Sequence, residues 1–81
     1  MYPSIIYRSP KVSVIDITST NPEDEGIEVA WRGVGSYLGR LDVDHYGLAI
    51  YIATKIDDHA STEAEAQAIF DSLAPAPAED D

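Results

Sequence analysis

The chain has 81 residues, no cysteine and a formal charge of −10 at pH 7, from fifteen acidic and five basic residues. This length favours one small domain with a thin core, and the lack of cysteine excludes disulfides and thiolate zinc sites. Direct nucleic-acid binding is disfavoured, because phosphate contacts require Lys and Arg.

The N-terminal segment does not have the pattern of a signal peptide. Residues 1–8 contain neither a basic n-region nor a sustained apolar h-region. The longest apolar run is shorter than the roughly 20 residues that a membrane-spanning helix needs. We therefore expect a soluble, cytoplasmic protein that makes no membrane contact.

Acidic residues are concentrated towards the C-terminus. Residues 1–56 hold seven acids and all five bases, whereas residues 57–81 hold eight acids and no base, so the two parts carry −2 and −8. Such acidity keeps a small protein soluble. It also suits a surface that faces a basic protein partner.

Two short segments near the N-terminus predict one edge of a β-sheet. Residues 5–7 are apolar and are followed by Pro10, which cannot donate to a central ladder. Residues 11–18 are rich in β-branched side chains and predict a second strand. Because Val14 and Ile15 are adjacent, the inward face of that strand is ambiguous, and a bent or bulged edge is expected.

Residues 27–42 predict a β-hairpin. Ile27, Val29 and Trp31 alternate with other residues and therefore share one face of a strand. The glycine-containing residues 33–36 supply turn chemistry, although a bulge within one longer strand is the alternative. The preceding residues 19–26 have the Asn-Pro, acidic and Gly composition of a solvated loop.

Residues 46–56 form the longest apolar run and predict the central strand, because β-branched and aromatic side chains dominate it. As a strand, this segment has one bulky face, formed by Tyr46, Leu48, Ile50, Ile52 and Ile56. Its other face, which we call the low face, consists mainly of the small residues Gly47, Ala49 and Ala53, with Tyr51 among them. We expect that low face to be available to a partner or a second copy.

A single helix is predicted over residues 62–74. Thr62 and Glu65 have the spacing of a capping box, and Pro75 ends the helix. Its apolar stripe consists of Ala66, Ile69, Phe70 and Leu73. Residues 75–81 predict a disordered acidic Pro/Ala tail.

Strands followed by a helix, without βαβ alternation, predict a single α+β domain over residues 1–74. We expect an antiparallel β-sheet meander of three to five strands with one C-terminal helix packed on one face. Ile69, Phe70 and Leu73 are expected to lie against the bulky side chains of residues 46–56 and beside Trp31. This order of elements is similar to that of small antitoxin-like domains.

Neither of the two acid–histidine clusters in the sequence predicts a metal site. One consists of Asp42, Asp44 and His45, and the other of Asp57, Asp58 and His59. An eleven-residue strand between them is about 36 Å long at about 3.3 Å per residue, and each cluster alone offers one imidazole. No serine or cysteine nucleophile motif is present. We therefore expect no catalytic residue, no metal and no cofactor.

In size, acidity and lack of a catalytic motif, the chain resembles the small phage inhibitors of restriction and CRISPR systems, some of which mimic DNA. The resemblance implies a non-catalytic protein-binding module that inhibits a nucleic-acid-handling complex through an acidic surface. Candidate partner-binding residues are Asp57, Asp58, Glu63, Glu65, Asp71 and Tyr51. The alternative is a structural, assembly or antitoxin-like protein that forms a homodimer or larger oligomer through its sheet face or edge.

Overall fold

The computed structural model describes residues 4–18, 25–33 and 35–75. In these residues four strands precede two helices: β1 (Ser4–Arg8), β2 (Val12–Asp16), β3 (Ile27–Trp31), β4 (Ser36–Leu41), α1 (Tyr46–His59) and α2 (Glu63–Leu73). All neighbouring strands are antiparallel and the sheet order is β1-β2-β3-β4. The predicted α+β class with an antiparallel sheet is therefore confirmed, but two helices are present where one was expected. Residues 19–24 of the predicted loop and residues 76–81 of the predicted tail lie outside the described residues.

The prediction of a central strand at residues 46–56 is wrong, because these residues form most of α1. Its buried residues are Ala49, Ile52, Ala53 and Ile56. They recur at the helical spacing i, i+3, i+4 and i+7, so one side of α1 faces the sheet. The low open face is also wrong, since Ala49 and Ala53 are fully buried while Ile50 and Tyr51 are exposed. Small side chains here allow the helix backbone to approach the sheet closely.

Both helices cover the same face of the sheet. α1 packs across β1, β2 and β3, and α2 packs on β4 and on α1. The buried side chains that the strands contribute are Val12, Val14, Ile27, Val29, Trp31, Leu38 and Leu41. The clean alternation predicted for β3 is confirmed, because every second residue of that strand is buried.

Two bulges set which side chains point inward. The register of β1 shifts between Ile5 and Tyr7, as expected for a bulged edge strand. The register of β4 shifts opposite Val29 and Ala30, so that Leu38 is bulged and joins Leu41 in the core. Because a bulge adds one residue to one strand, simple alternation does not predict both leucines inward.

The C-terminal helix matches its prediction closely. Thr62 is the N-cap of α2, and its Oγ1 accepts a hydrogen bond from the Glu65 amide at 3.2 Å. The Glu65 carboxylate accepts from the Ser61 amide at 2.6 Å, one residue before the amide that a standard capping box uses. Phe70 is buried, but its ring lies on Gly39 of β4 rather than on a central strand 46–56.

The opposite face of the sheet is not covered by any helix of the described residues. Cross-strand pairing arranges its side chains in two rows. The first row is Ile5, Ile15, Glu28 and Arg40, and the second is Arg8, Ser13, Ala30 and Tyr37. We refer to these eight residues as the open face. No helix in residues 4–18, 25–33 and 35–75 has the length and apolar content needed to cross a membrane.

Candidate functional site

Asp57, a predicted partner-binding residue, is held within the protein by hydrogen bonds. The Tyr7 hydroxyl donates to its Oδ2, and the Ser9 hydroxyl donates to its Oδ1 at 2.6 Å. Ser9 Oγ in turn accepts from the amides of Lys11 and Val12 at 3.1 and 3.0 Å. These bonds connect the β1–β2 turn to the last turn of α1.

Lys11 completes this connection from the same turn. Its Nζ donates to the backbone oxygens of Asp57 at 3.1 Å and Ala60 at 2.8 Å. A cation at a helix C-terminus satisfies unpaired carbonyls and interacts favourably with the helix dipole. We call Tyr7, Ser9, Lys11 and Asp57 the Asp57 cluster. Its role in the fold was missed from the sequence, because its two halves are about fifty positions apart.

The hydrogen bond within this cluster changes the proton affinity of Tyr7. Because the phenol donates to the Asp57 carboxylate, the pKa of Tyr7 is raised above its usual 10.0, with desolvation adding to the effect. The Ser9 hydroxyl donates to Asp57 Oδ1, with the Val12 oxygen at 3.4 Å as a second, more distant acceptor, and its Oγ accepts from two backbone amides. These interactions suit a structural connection between turn and helix.

The other four acidic candidates are exposed at the surface of the helices: Asp58, Glu63, Glu65 and Asp71. Glu65 is partly occupied with the N-terminus of α2. Asp71 accepts a hydrogen bond at 3.0 Å from Gln67 Nε2, which also donates to the Leu38 oxygen of β4 at 2.9 Å.

The candidate acids do not form one continuous patch. Asp57 is bonded to β1, whereas Asp71 is bonded to a glutamine that contacts β4. β1 and β4 are opposite edges of the sheet. The structure thus distributes the acids across the width of the helical layer, which we define as residues 46–73. That layer holds five acids and one base, a net of −4 with histidine neutral.

Tyr51 lies on the outer side of α1 and not on a sheet face. Its side chain is 48% exposed, and Lys55 Nζ lies 5.4 Å from its ring centroid, a cation–π contact. Asp58 follows Tyr51 by seven residues, about two helical turns, so both project from the same side of α1. The structure therefore brings Tyr51 and Asp58 onto one surface.

The open face carries the opposite charge. Arg8 and Arg40 belong to its two rows, Glu28 is its one acid, and Arg32 follows directly at the end of β3. The eight residues of the open face therefore carry a net of +1, or +2 when Arg32 is included, in a chain of −10. A cleft of about 210 Å³ opens on this face, lined by Ile5, Arg8, Ser13, Ile15 and Arg32. Sequence reasoning missed it, because only the strand register brings these residues together.

The two acid–histidine clusters lie at opposite ends of α1. His45 precedes the helix and His59 is its last residue. A helix of 14 residues is about 21 Å long at 1.5 Å per residue, too long for shared ligation of one ion. Among the described residues, no group of three or more His, Asp or Glu is placed to hold a metal ion. Within the part of the chain that the structure describes, His45 Nδ1 is buried without a hydrogen-bond partner.

Comparison of the chain with protein-family models, with curated proteins and with solved structures finds no match.

Proposed function

We propose that this protein is a small, non-catalytic protein-binding module whose helical layer contacts a basic partner. Exposed, geometrically fixed carboxylates on the helices are the observation that carries this proposal. Asp58, Glu63 and Asp71 are exposed and belong to helices anchored in the core. Separate carboxylates held at defined positions imitate the phosphates of DNA, which suits an inhibitor of a nucleic-acid-handling complex.

The anchoring of α2 supports recognition rather than solubility alone. Ala66 and Phe70 are buried, and Thr62 caps the helix, so the carboxylates of Glu63 and Asp71 keep a defined spacing. Charges on a rigid element lose less conformational entropy on binding than charges on a flexible tail. Such a surface also steers a basic partner and raises the association rate.

The test is a triple amide variant of three exposed carboxylates, Asp58→Asn with Glu63→Gln and Asp71→Asn. Its matched control carries the same charge change in exposed loop positions, as Glu25→Gln with Asp42→Asn and Asp44→Asn. Asp57 and Glu65 are left intact in both, because Asp57 joins α1 to the β1–β2 turn and Glu65 accepts from the Ser61 amide at the start of α2.

Partners cross-linked to the wild type in its native cells are identified, purified and measured by calorimetry at low and high salt. We expect the helical variant to lose most of the affinity and most of the salt dependence, and the loop variant to keep both. Equal binding by the two variants would show that the partner does not contact the acidic helical layer. Above about 0.15 M ionic strength, where the Debye length is about 8 Å, wild-type association should weaken steeply.

Self-association through a sheet edge is the second candidate function. Within the described part of the chain, β1 and β4 each pair on one side only, and an unpaired strand edge is a template for another chain. Tyr37 of the edge strand β4 is 56% exposed. Sedimentation equilibrium over micromolar to millimolar protein should then show a dimer that Tyr37→Lys weakens. A monomer at every concentration would contradict this candidate.

A further inference from the structure

The cleft on the open face joins two arginines to an apolar floor. Ile5 and Ile15 are directly paired across β1 and β2, and Arg8 is paired with Ser13 in the next row. Arg32 approaches from the end of β3 and completes the lining. A charged rim beside an aliphatic surface is the chemistry that recognises a carboxylate attached to an apolar group.

Both guanidinium groups have donors for an incoming carboxylate. The Arg8 guanidinium makes no hydrogen bond or ion pair with the described residues, and Arg32 uses Nη1 to donate to the Ser9 oxygen at 2.6 Å. A guanidinium has five N–H donors, so this one bond positions Arg32 without exhausting it. The nearest acid of the open face, Glu28, lies beside Ile15 in the register and is paired with Arg40 at 3.4 Å.

The size of the cleft limits what it can hold. Sites that enclose a drug-sized ligand usually measure about 300–1,000 Å³, and this cleft measures about 210 Å³. It therefore fits one or two side chains of a larger molecule. The second row continues from Ser13 to Ala30 and Tyr37, which gives neighbouring residues of an extended segment a surface to lie on.

We propose that this cleft binds a short acidic, apolar segment of a protein partner. One carboxylate of the segment pairs with Arg8 and Arg32, and an adjacent aliphatic side chain packs on Ile5 and Ile15. This surface is separate from the acidic helical layer and lies on the other face of the sheet. It binds acidic partners, whereas the helical layer binds basic ones.

The charge of the whole chain favours such a segment over a nucleic acid. A polyanion near the open face is repelled by a chain of −10, whereas a segment with one or two carboxylates meets mainly the local arginines. Single-stranded nucleic acids also require several aromatic side chains for stacking. Tyr37 is the one aromatic residue among the eight of the open face.

The first experiment is an NMR titration with a defined probe. The probe is a short capped peptide in which Glu alternates with Val, and its control has Gln in place of Glu. We expect amide shifts at Arg8, Ser13 and Ile15, with the Gln peptide binding at least about tenfold more weakly, as loss of a charge-assisted pair predicts. Equal affinity for the two peptides, or no binding at millimolar peptide, would overturn the proposal.

Charge-matched variants locate the contact. Arg8→Gln and Arg32→Gln should each weaken the Glu peptide about tenfold, while Lys55→Gln, the same change on α1, should keep the affinity within about twofold. Thermal unfolding of each variant shows that the fold is retained, and Arg8→Gln alone suffices if Arg32→Gln unfolds. Three results would reject the acidic segment: no effect of Arg8→Gln, tighter Arg8-dependent binding of oligothymidylate, or self-association that causes the same amide shifts.

Discussion

The carboxylate of Asp57, in the last turn of α1, accepts a hydrogen bond from the phenol of Tyr7 in β1. Together with Ser9 and Lys11, this contact fixes the C-terminal end of α1 against the first turn of the sheet. The two residues are about fifty positions apart in the chain, so this contact links the first strand to a helix that follows the whole sheet. An acid that the sequence presents as part of a binding surface thus also holds α1 against β1.

Neighbouring aspartates should therefore differ sharply when each is changed to alanine. Asp57→Ala leaves the hydroxyls of Tyr7 and Ser9 without their acceptor and should lower the unfolding free energy by about 1–3 kcal/mol. Asp58→Ala alters an exposed side chain and should stay within about 0.5 kcal/mol of wild type. Urea unfolding measures both, and equal values would show that the cluster adds nothing to stability.

Stability should fall at alkaline pH through two tyrosines. Hydrogen bonds to Asp57 and Asp16 raise the pKa values of Tyr7 and Tyr46 respectively above 10.0. A group whose pKa is higher in the folded state stabilises the fold below its unfolded pKa, and this stabilisation is lost as the pH rises through the folded pKa. Thermal melts above about pH 10 should thus show declining Tm, and the decline should be smaller in Tyr7→Phe.

The stability of the fold at acidic pH should depend on Asp16. Hydrogen bonds from Tyr46 and from the Thr18 amide lower the pKa of Asp16 below 3.8. Its contribution is present above the unfolded pKa and is lost as the pH falls through the lower folded value. Acid unfolding followed by circular dichroism should begin at higher pH in Tyr46→Phe than in wild type. Coincident curves would contradict this role of the bond.

Phe70 and Gly39 should behave as a coupled pair. A Cβ at position 39 would lie 2.2 Å from Phe70 Cε1, so Gly39→Ala forces the ring to move. Phe70→Ala should cost about 3–5 kcal/mol, and Gly39→Ala about 1–3 kcal/mol through overpacking. In the double variant the smaller side chain removes the clash, so the two costs should not add. Strict additivity in urea unfolding would show that the contact is not formed.

A substitution at the N-terminus of α1 should increase the stability of the protein. His45 is the N-cap and makes no side-chain capping bond, and the first turn of the helix contains no acid. His45→Asp supplies a capping acceptor and a favourable charge, and should stabilise the protein by about 0.5–1 kcal/mol. Thr62→Ala, which removes the existing cap of α2, should cost about 1 kcal/mol. An unchanged Tm in His45→Asp would indicate that this end of α1 is limited by other contacts.

Several elements follow from local sequence patterns. The alternation of Ile27, Val29 and Trp31 predicts β3, and the glycine-containing turn after it predicts the hairpin with β4. The spacing of Thr62 and Glu65 predicts the start of α2. In each case the determining residues lie within a few positions of one another, so the short-range backbone preferences are visible in the chain itself.

Tertiary packing determined that residues 46–56 form a helix rather than a strand. Their β-branched and aromatic side chains favour a strand by propensity. As a helix, however, they bury Ala49, Ile52, Ala53 and Ile56 against the four-stranded sheet that the described residues form. Helical periodicity was present in the sequence, carried partly by alanines that contribute little to an apolar pattern. Packing outweighed propensity because buried contacts contribute more free energy than intrinsic preference.

Tertiary structure also decided the two candidate surfaces. Composition alone determines that the chain is acidic and that its bases lie within residues 1–56. Strand register places Arg8 beside Ile5 and Ile15 on the open face. Packing of α1 on the sheet brings Asp57 into hydrogen-bonding contact with Tyr7. These relationships depend on pairings between distant residues. Such pairings are fixed when the sheet and helices pack together, and local sequence preferences do not specify them.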